Sequence, residues 1–166
     1  MLSFYNKHNN KLYIKLVELS RNIFFYKDLA LKDNFETRIN LIFIHFSTIL
    51  IIFKKRKKNK FPQKTYDNIF QNIEYHVREL GYGDVAVNKK MKILNKIFYN
   101  VLLKIEEKGQ KKFKVNGDVI LDHLSNSVGE NKEYIEKLTD YIEKFYDFCF
   151  ELSDESMLEG QINFII

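Results

Sequence analysis

The residue types that most often catalyse reactions or bind metal ions are few in this sequence of 166 residues. It contains four histidines and one cysteine, which are His8, His45, His76, His123 and Cys149. No histidine has a second histidine or a cysteine at the spacing of a metal-binding motif, and the HExxH motif is absent. A single cysteine also excludes an internal disulfide and a cysteine-based zinc cluster. The sequence therefore predicts neither a metal site nor a cofactor.

The remaining candidates for catalysis also have simpler structural interpretations. His45 lies inside the most apolar segment, which favours a hydrogen-bonded core histidine over a switch or a ligand. Cys149 lies on an apolar stripe, as a buried thiol would. Asp118 and Asp122 are four residues apart, which is typical of a solvated helix face. The G-x-G sequence at residues 81–83 lacks the other residues of a phosphate-binding loop. We therefore expect a protein that is not an enzyme.

Charge is distributed unevenly along the chain, whose net charge is +5. Residues 1–129 contain 24 basic and 12 acidic residues, whereas residues 130–166 contain 3 and 10. The most basic stretch is residues 54–60, and its contact candidates are Lys54, Lys55, Arg56, Lys57 and Lys58. Without interleaved aromatic residues, this stretch would bind anionic lipid or ribosomal RNA largely through the charge of the phosphates. A solvated loop is the alternative.

Hydrophobic periodicity places these residues on helices. Apolar residues recur every three or four positions in most of the chain, and six glycines and one proline are few for an all-β protein. The predicted helices cover about residues 11–27, 34–53, 66–80, 88–108, 117–127 and 130–152. Asp33 and Glu36 have the form of a capping box, and Asp84 is a candidate cap of the fourth helix. The fold prediction is an all-α, single-domain bundle of about six helices over residues 1–166, with peripheral tails at 1–10 and 153–166.

The apolar run at residues 39–53 has two interpretations. It is followed by positive charge, as a transmembrane helix often is. However, it is 15 residues long and includes four polar residues, whereas a membrane span needs about 20 apolar residues. These properties favour a core helix that is followed by a basic segment.

Several segments resemble the ubiquinol–cytochrome c chaperone family. Residues 77–92, VRELGYGDVAVNKKMK, are similar to the family's LRE-x-G-x-GD-x-x-V-x-K signature, and a Phe-Tyr pair follows at residues 98–99. Residues 33–45 are similar to its D-x-F-x-x-R segment and the apolar, histidine-containing helix after it. Residues 67–70 and 157–164 resemble two further elements of the family.

The resemblance implies a non-enzymatic assembly chaperone. Members of the family assist newly made cytochrome b on its way into respiratory complex III, the ubiquinol–cytochrome c reductase. The implied partners are cytochrome b, a small accessory assembly protein, the ribosome and the inner membrane, with no specific nucleic acid. The N-terminus lacks the pattern of a secretory signal or an organelle presequence. We therefore expect a location in the bacterial cytoplasm at the inner membrane, or on the matrix side in a eukaryote. The alternative is a basic helical protein that binds ribosomes or nucleic acid.

The resemblance also selects candidate residues for a client or partner surface. They are Arg38, His45, Arg78, Glu79, Gly81, Gly83, Asp84, Lys89, Lys92 and Tyr99. Those around residues 81–83 have two open interpretations: they fix the angle between the third and fourth helices, or they contact the client. The same two interpretations apply to Asp33, Arg38 and His45.

Overall fold

The chain folds into an all-α bundle, as the sequence predicts. The computed structural model describes residues 10–128 and 131–166, with side chains outside 125–128, so the predicted N-terminal tail lies outside the described residues up to residue 9. The α-helices of the described residues are α1 Lys11–Ser20, α2 Phe35–Arg56, α3 Gln63–Glu79, α4 Asp84–Lys104, α5 Gly117–Val128, α6 Lys132–Phe150 and α7 Asp154–Leu158. Within the same residues, β-structure is limited to one bridge between Glu106 and Val115.

Helix α2 forms the centre of the bundle. Fifteen of its 22 residues are buried, and α1, α4, α5 and α6 pack around it. The side chain of Asn34 accepts a hydrogen bond from the Thr37 N–H at 2.9 Å and thereby caps the helix. The cap is therefore Asn34, one residue after the predicted Asp33. The Asp33 carboxylate instead pairs with Arg38.

The burial of α2 accounts for its apolar sequence. By length and composition alone, α2 could cross a membrane, but 78% of its most apolar window is buried inside the bundle. A helix that is apolar on all sides is expected at the centre of a helical core. The core-helix interpretation of residues 39–53 therefore describes this fold, and the bundle itself supplies the apolar surroundings.

The first predicted helix is interrupted. Helix α1 ends at Ser20, and a π-helical turn follows at Phe24–Asp28. The break has local causes: the Asn22 side chain accepts from the Phe24 N–H at 3.0 Å, and the Tyr26 hydroxyl donates to the Ser20 carbonyl at 2.6 Å. Side chains that bond nearby backbone groups compete with a continuous helix.

The C-terminal segment differs from its prediction as a peripheral tail. Met157 and Ile162 are fully buried, and the Phe164 ring lies 5.4 Å from the Tyr141 ring. At Gly160, φ is +69°, and an added Cβ would lie 2.6 Å from the Lys11 carbonyl oxygen. Residues 153–166 therefore pack across the bundle and bring the two ends of the described chain together.

Helices α2 and α4 run in the same direction. Helix α3, which lies between them in the sequence, runs antiparallel to both. The Phe43 and Phe98 rings lie 5.3 Å apart, and near the helix ends Lys55 pairs with Glu106. The bundle therefore has one end formed by the start of α2, the end of α3 and the start of α4. The opposite end carries residues 54–60.

Candidate functional site

The α3–α4 turn, residues 80–84, is built on two glycines with different roles. Helix α3 ends at Glu79, and the Gly81 N–H donates to the Arg78 carbonyl at 2.9 Å. Gly81 has φ of +93°, a left-handed conformation that glycine adopts without strain. Gly83 has an extended backbone and is the N-cap residue of α4, so α4 begins four residues earlier than predicted. Asp84 is the first residue of the helix and not its cap.

Arg78 joins the two helices across this turn. Its guanidinium contacts the Asp84 carboxylate at 2.5 Å and the Glu74 carboxylate at 2.9 Å. The hydrogen bond to Asp84, more than that to Glu74, raises the pKa of Arg78 above its ordinary value. Arg78 therefore links α3 to the first residue of α4 through one exposed ion pair, whereas its pair with Glu74 lies within α3.

A cleft of about 370 Å³ lies beside the turn, between α1, the start of α2 and the end of α3. Arg38 and Glu79, two residues selected from the sequence, both line it. Arg38 is held by Asp33, whose Oδ1 accepts from Nη2 at 2.6 Å and from Nε at 2.7 Å. Two of the segments that resemble the family, residues 33–45 and 77–92, therefore meet in one depression.

The cleft combines an apolar base with a charged rim. Val17, Ile39 and Ile42 contribute apolar surface, and Leu80 at the rim is 51% exposed. Nearby, the Tyr13 hydroxyl and His76 Nδ1 lie 2.5 Å apart. Burial raises the pKa of Tyr13, so its hydroxyl stays protonated. The arrangement can bind a polypeptide segment that has both apolar and charged groups. Among the described residues, no cluster of metal-binding side chains accompanies it.

His45 does not belong to any surface. It is 1% exposed, and the Leu41 carbonyl lies 2.6 Å from its Nδ1, which must therefore donate. Its Nε2 accepts from the Tyr141 hydroxyl at 2.8 Å. Burial lowers the pKa of His45 to about 4, which keeps the ring neutral. The predicted place of His45 in a client surface is therefore wrong. This histidine is buried in the core, where it links α2 to α6.

Cys149 is also buried, as its position on the apolar stripe predicts. Burial raises the pKa of its thiol to about 12. The thiol therefore stays protonated in the folded protein and is shielded from reagents in solution.

The other predicted surface residues lie on the outer side of α4. Lys89, Lys92 and Tyr99 are exposed, and Tyr99 is 3.4 Å from the Tyr66 hydroxyl of α3. The same side carries exposed apolar residues that sequence reasoning did not select, which are Val85, Ile93 and Leu103. The sequence contains the signal for them, because at helical spacing they fall opposite the apolar residues Leu94, Phe98 and Val101, which are buried. We call the seven residues Val85, Lys89, Lys92, Ile93, Lys96, Tyr99 and Leu103 the α4 outer face.

The basic patch predicted at residues 54–58 is divided by the structure. Arg56 points inward: it forms an ion pair with Asp154 at 2.8 Å and donates to the carbonyls of Phe150 and Leu152. Lys55 pairs with Glu106 and also lies over aromatic rings. The predicted contact role of Arg56 is wrong, because its guanidinium is engaged within the molecule, whereas Lys55 stays exposed and its contact role remains a prediction.

The rest of the basic stretch stays on the surface. Lys54, Lys57 and Lys58 are exposed, and within residues 10–128 and 131–166 no carboxylate forms an ion pair with them. Arg38 and Lys54 are 16 positions apart on α2, or about 24 Å along the helix axis. The structure therefore places the cleft and the basic stretch at opposite ends of the bundle.

Comparisons with known proteins agree with this fold. Residues 27–164 match the model of a family described as Ubiquinol-cytochrome C chaperone. Among solved structures, the Cbp3 homolog from Brucella abortus has a similar fold, with a TM-score of 0.66 and 21% sequence identity. That similarity covers 94% of this chain and 87% of the other. No curated protein matches this sequence.

Proposed function

This chain belongs to the ubiquinol–cytochrome c chaperone family, and we propose that it binds newly synthesised cytochrome b and promotes assembly of respiratory complex III. The family match over residues 27–164 is the observation that carries the proposal. In this proposal the protein catalyses no reaction and uses no cofactor. Its contribution is to cover apolar client surface until the client meets its partner subunits.

The cleft is the site that we propose for client binding. Its apolar base is formed by α1 and α2, whereas the Arg38–Asp33 ion pair, Arg21 and Glu79 add charged groups of both signs to its lining. Cytochrome b is a membrane protein, so its connecting loops carry apolar and charged residues next to each other. A segment of that kind would fill both parts of the cleft. Arg78, Gly81 and Asp84 would then act indirectly, by fixing the α3–α4 turn at its edge.

Co-purification of cytochrome b with the tagged protein tests this proposal. Leu80→Asp introduces a charge at the rim of the cleft, and we expect the fold to be retained because the leucine is 51% exposed. Ile23→Asp is the matched control, because Ile23 is 69% exposed and does not line the cleft. We expect the first variant to lose cytochrome b and the second to retain it. A deletion strain with normal complex III and normal cytochrome b absorbance would contradict the proposal.

A second candidate function follows from the three exposed lysines of the basic stretch. Lys54, Lys57 and Lys58 could contact ribosomal RNA, which would bring the chaperone close to a client during synthesis. In a triple lysine-to-glutamine variant, the negative slope of log affinity for RNA against log salt should become shallower by about 2 to 3. Failure of the wild-type protein to retain RNA at low salt would exclude this function.

The remaining partners and the location are part of the same proposal. We place the protein at the inner membrane, on the cytoplasmic side in a bacterium or the matrix side in a eukaryote, with a small accessory assembly protein as a further partner. Cross-linking in cells, followed by identification of the captured proteins, tests these assignments together. Capture of cytochrome b with an assembly factor is the expected result.

A further inference from the structure

The α4 outer face has a composition that the client proposal does not use. Val85 is 72% exposed, Leu103 71%, Ile93 57% and Tyr99 52%, and the three exposed lysines Lys89, Lys92 and Lys96 lie among them. At about 100° per residue, Val85, Lys92, Lys96 and Leu103 project within about 40° of one another. The helix therefore presents a continuous strip of alternating apolar and cationic groups, about 27 Å long from Val85 to Leu103.

The charge of this strip has one sign. Helix α4 contains five lysines and one acidic residue, Asp84, whose carboxylate is paired with Arg78. In the part of the chain that the structure describes, Lys89, Lys92 and Lys96 form no ion pair. The face is bordered by the Tyr66 hydroxyl of α3 and by His123 of α5, whose Nε2 lies 3.1 Å from the Asn100 side chain. Its cationic groups are thus free to meet an anionic surface.

We propose that the α4 outer face docks the protein on an anionic lipid bilayer. Apolar residues flanked by lysines are typical of helices that lie in the membrane interface, where apolar side chains enter the acyl boundary and lysines meet headgroup phosphates. Protein–protein interfaces, in contrast, are depleted in lysine at their centre. Lys92 and Lys96 lie at the centre of this strip, which favours a bilayer over a protein partner.

Such docking would leave both ends of the bundle accessible. The strip runs along the side of the molecule, from the α3–α4 turn towards the end that carries residues 54–60. The cleft and the basic stretch would therefore lie near the membrane surface without being covered by it. This inference gives a site to the membrane contact in the proposed function, and vesicle binding tests it without any client.

Sedimentation with vesicles of phosphatidylcholine containing 30% phosphatidylglycerol tests the proposal. We expect the wild-type protein to bind these vesicles, to bind pure phosphatidylcholine vesicles far less, and to lose affinity as salt increases. Substitution of Lys89, Lys92 and Lys96 by glutamine should lower affinity about 100-fold, since each lysine near an anionic surface contributes about fivefold. The charge-matched control substitutes Lys108, Lys111 and Lys112, exposed loop lysines outside α4, and should change affinity only slightly.

The apolar part of the strip has its own test. Leu103→Ser should weaken vesicle binding about tenfold, because a buried leucine contact with the acyl boundary is lost. Ile23→Ser removes an equally exposed apolar side chain elsewhere and should have little effect.

Three results would overturn the proposal. The first is no binding of the wild-type protein to anionic vesicles, and the second is an equal loss in the lysine variant and its control. The third is normal vesicle binding by both α4 variants together with loss of cytochrome b in cells, which would assign the face to a protein partner. Loss of vesicle binding with normal cytochrome b capture would leave the client proposal intact.

Discussion

His45 shows how one polar group is accommodated at the centre of an apolar helix. Both ring nitrogens have partners, Nδ1 the Leu41 carbonyl and Nε2 the Tyr141 hydroxyl. A buried polar group is tolerated when each of its hydrogen-bonding atoms is satisfied. The pair also connects α2 with α6, so the histidine contributes specificity to the packing of two helices that lie far apart in sequence.

The protonation of His45 predicts a pH dependence of stability. Its pKa is about 4 in the folded protein and 6.5 in the unfolded chain, so the unfolded state binds more protons between these values. The free energy of unfolding should therefore fall as the pH decreases from 6.5 to 4, by about 3 kcal/mol in total. Urea unfolding at several pH values measures this effect.

Two histidine variants isolate the contribution of His45 from that of the carboxylates. In His45→Gln the dependence on pH between 6.5 and 4 should be clearly smaller than in the wild-type protein. His123→Gln is the comparison, because His123 is only half-buried and its lowered pKa should contribute less. An unchanged pH dependence in His45→Gln would contradict the assignment.

Gly160 gives a second prediction at this scale. Its φ of +69° and the 2.6 Å approach of an added Cβ to the Lys11 carbonyl oxygen both disfavour alanine. Gly160→Ala should lower the free energy of unfolding by about 2–3 kcal/mol.

Gly83→Ala is the matched control for that substitution. An added Cβ meets no atom within 4 Å at Gly83, and its backbone is extended. A weaker cap and a less flexible unfolded chain should offset each other to within about 0.5 kcal/mol. Equal losses in the two variants would show that the contact between residue 160 and α1 is unimportant.

At the scale of elements, Arg56 connects three helices. It is the last residue of α2, and it reaches the carbonyls at the end of α6 and the Asp154 carboxylate at the start of α7. The last carbonyls of a helix have no partners within it, and a cation at that end is favourable. The predicted basic patch thus contains a residue whose role is to close the bundle.

Removal of this cation should destabilise the protein. Arg56→Gln loses charge-assisted hydrogen bonds at a half-buried position, so we expect a loss of about 2–3 kcal/mol in the free energy of unfolding. Lys57→Gln changes the neighbouring exposed lysine and should stay within about 0.5 kcal/mol of the wild-type value. Chemical denaturation of both variants measures the difference, and similar stabilities would argue against a structural role for Arg56.

Local sequence patterns predicted a helix well where one apolar face of that helix is buried. Hydrophobic periodicity gave both the existence and the approximate bounds of α6, predicted at about 130–152 and observed at Lys132–Phe150, because amphipathic spacing acts over a few residues. Arg56 could not be interpreted in this way, since its partners lie more than 90 residues away. The break after Ser20 was missed because side-chain bonds to the backbone interrupt a helix without changing its hydrophobic period. Leu80, the last residue of the third predicted helix, is exposed because α3 ends one residue before it.

At the scale of the whole molecule, the candidate surfaces are separated. The cleft and the α3–α4 turn lie at one end, residues 54–60 at the other, and the α4 outer face runs between them. The sequence identified residues of all three surfaces but not their separation. Charge patterns do not show how the helices are packed, and the packing decides at which end of the bundle a residue lies. The convergence of Arg38 and Glu79 likewise required the packing of α1, α2 and α3.

This separation predicts that the two ends can be inactivated independently. Substitution of Lys54, Lys57 and Lys58 by glutamine should leave cytochrome b capture within about twofold of the wild-type level, because the residues lie about 24 Å or more from Arg38. Leu80→Asp should abolish capture and leave RNA retention unchanged. Quantitative co-purification of both ligands with each variant measures this, and parallel losses would indicate one shared surface.

The central position of α2 has a consequence for the synthesis of the protein. Tyr141, which completes the hydrogen bonds of His45, is made 96 residues after it. At 5–20 residues per second, the ribosome needs roughly 5–20 s to add that length of chain. During this interval the most apolar helix has left the ribosome without α6 to cover it, and it has the length and composition of a membrane segment. A chaperone built on this plan therefore passes through its own period of aggregation risk, and its yield should depend on how fast it is translated.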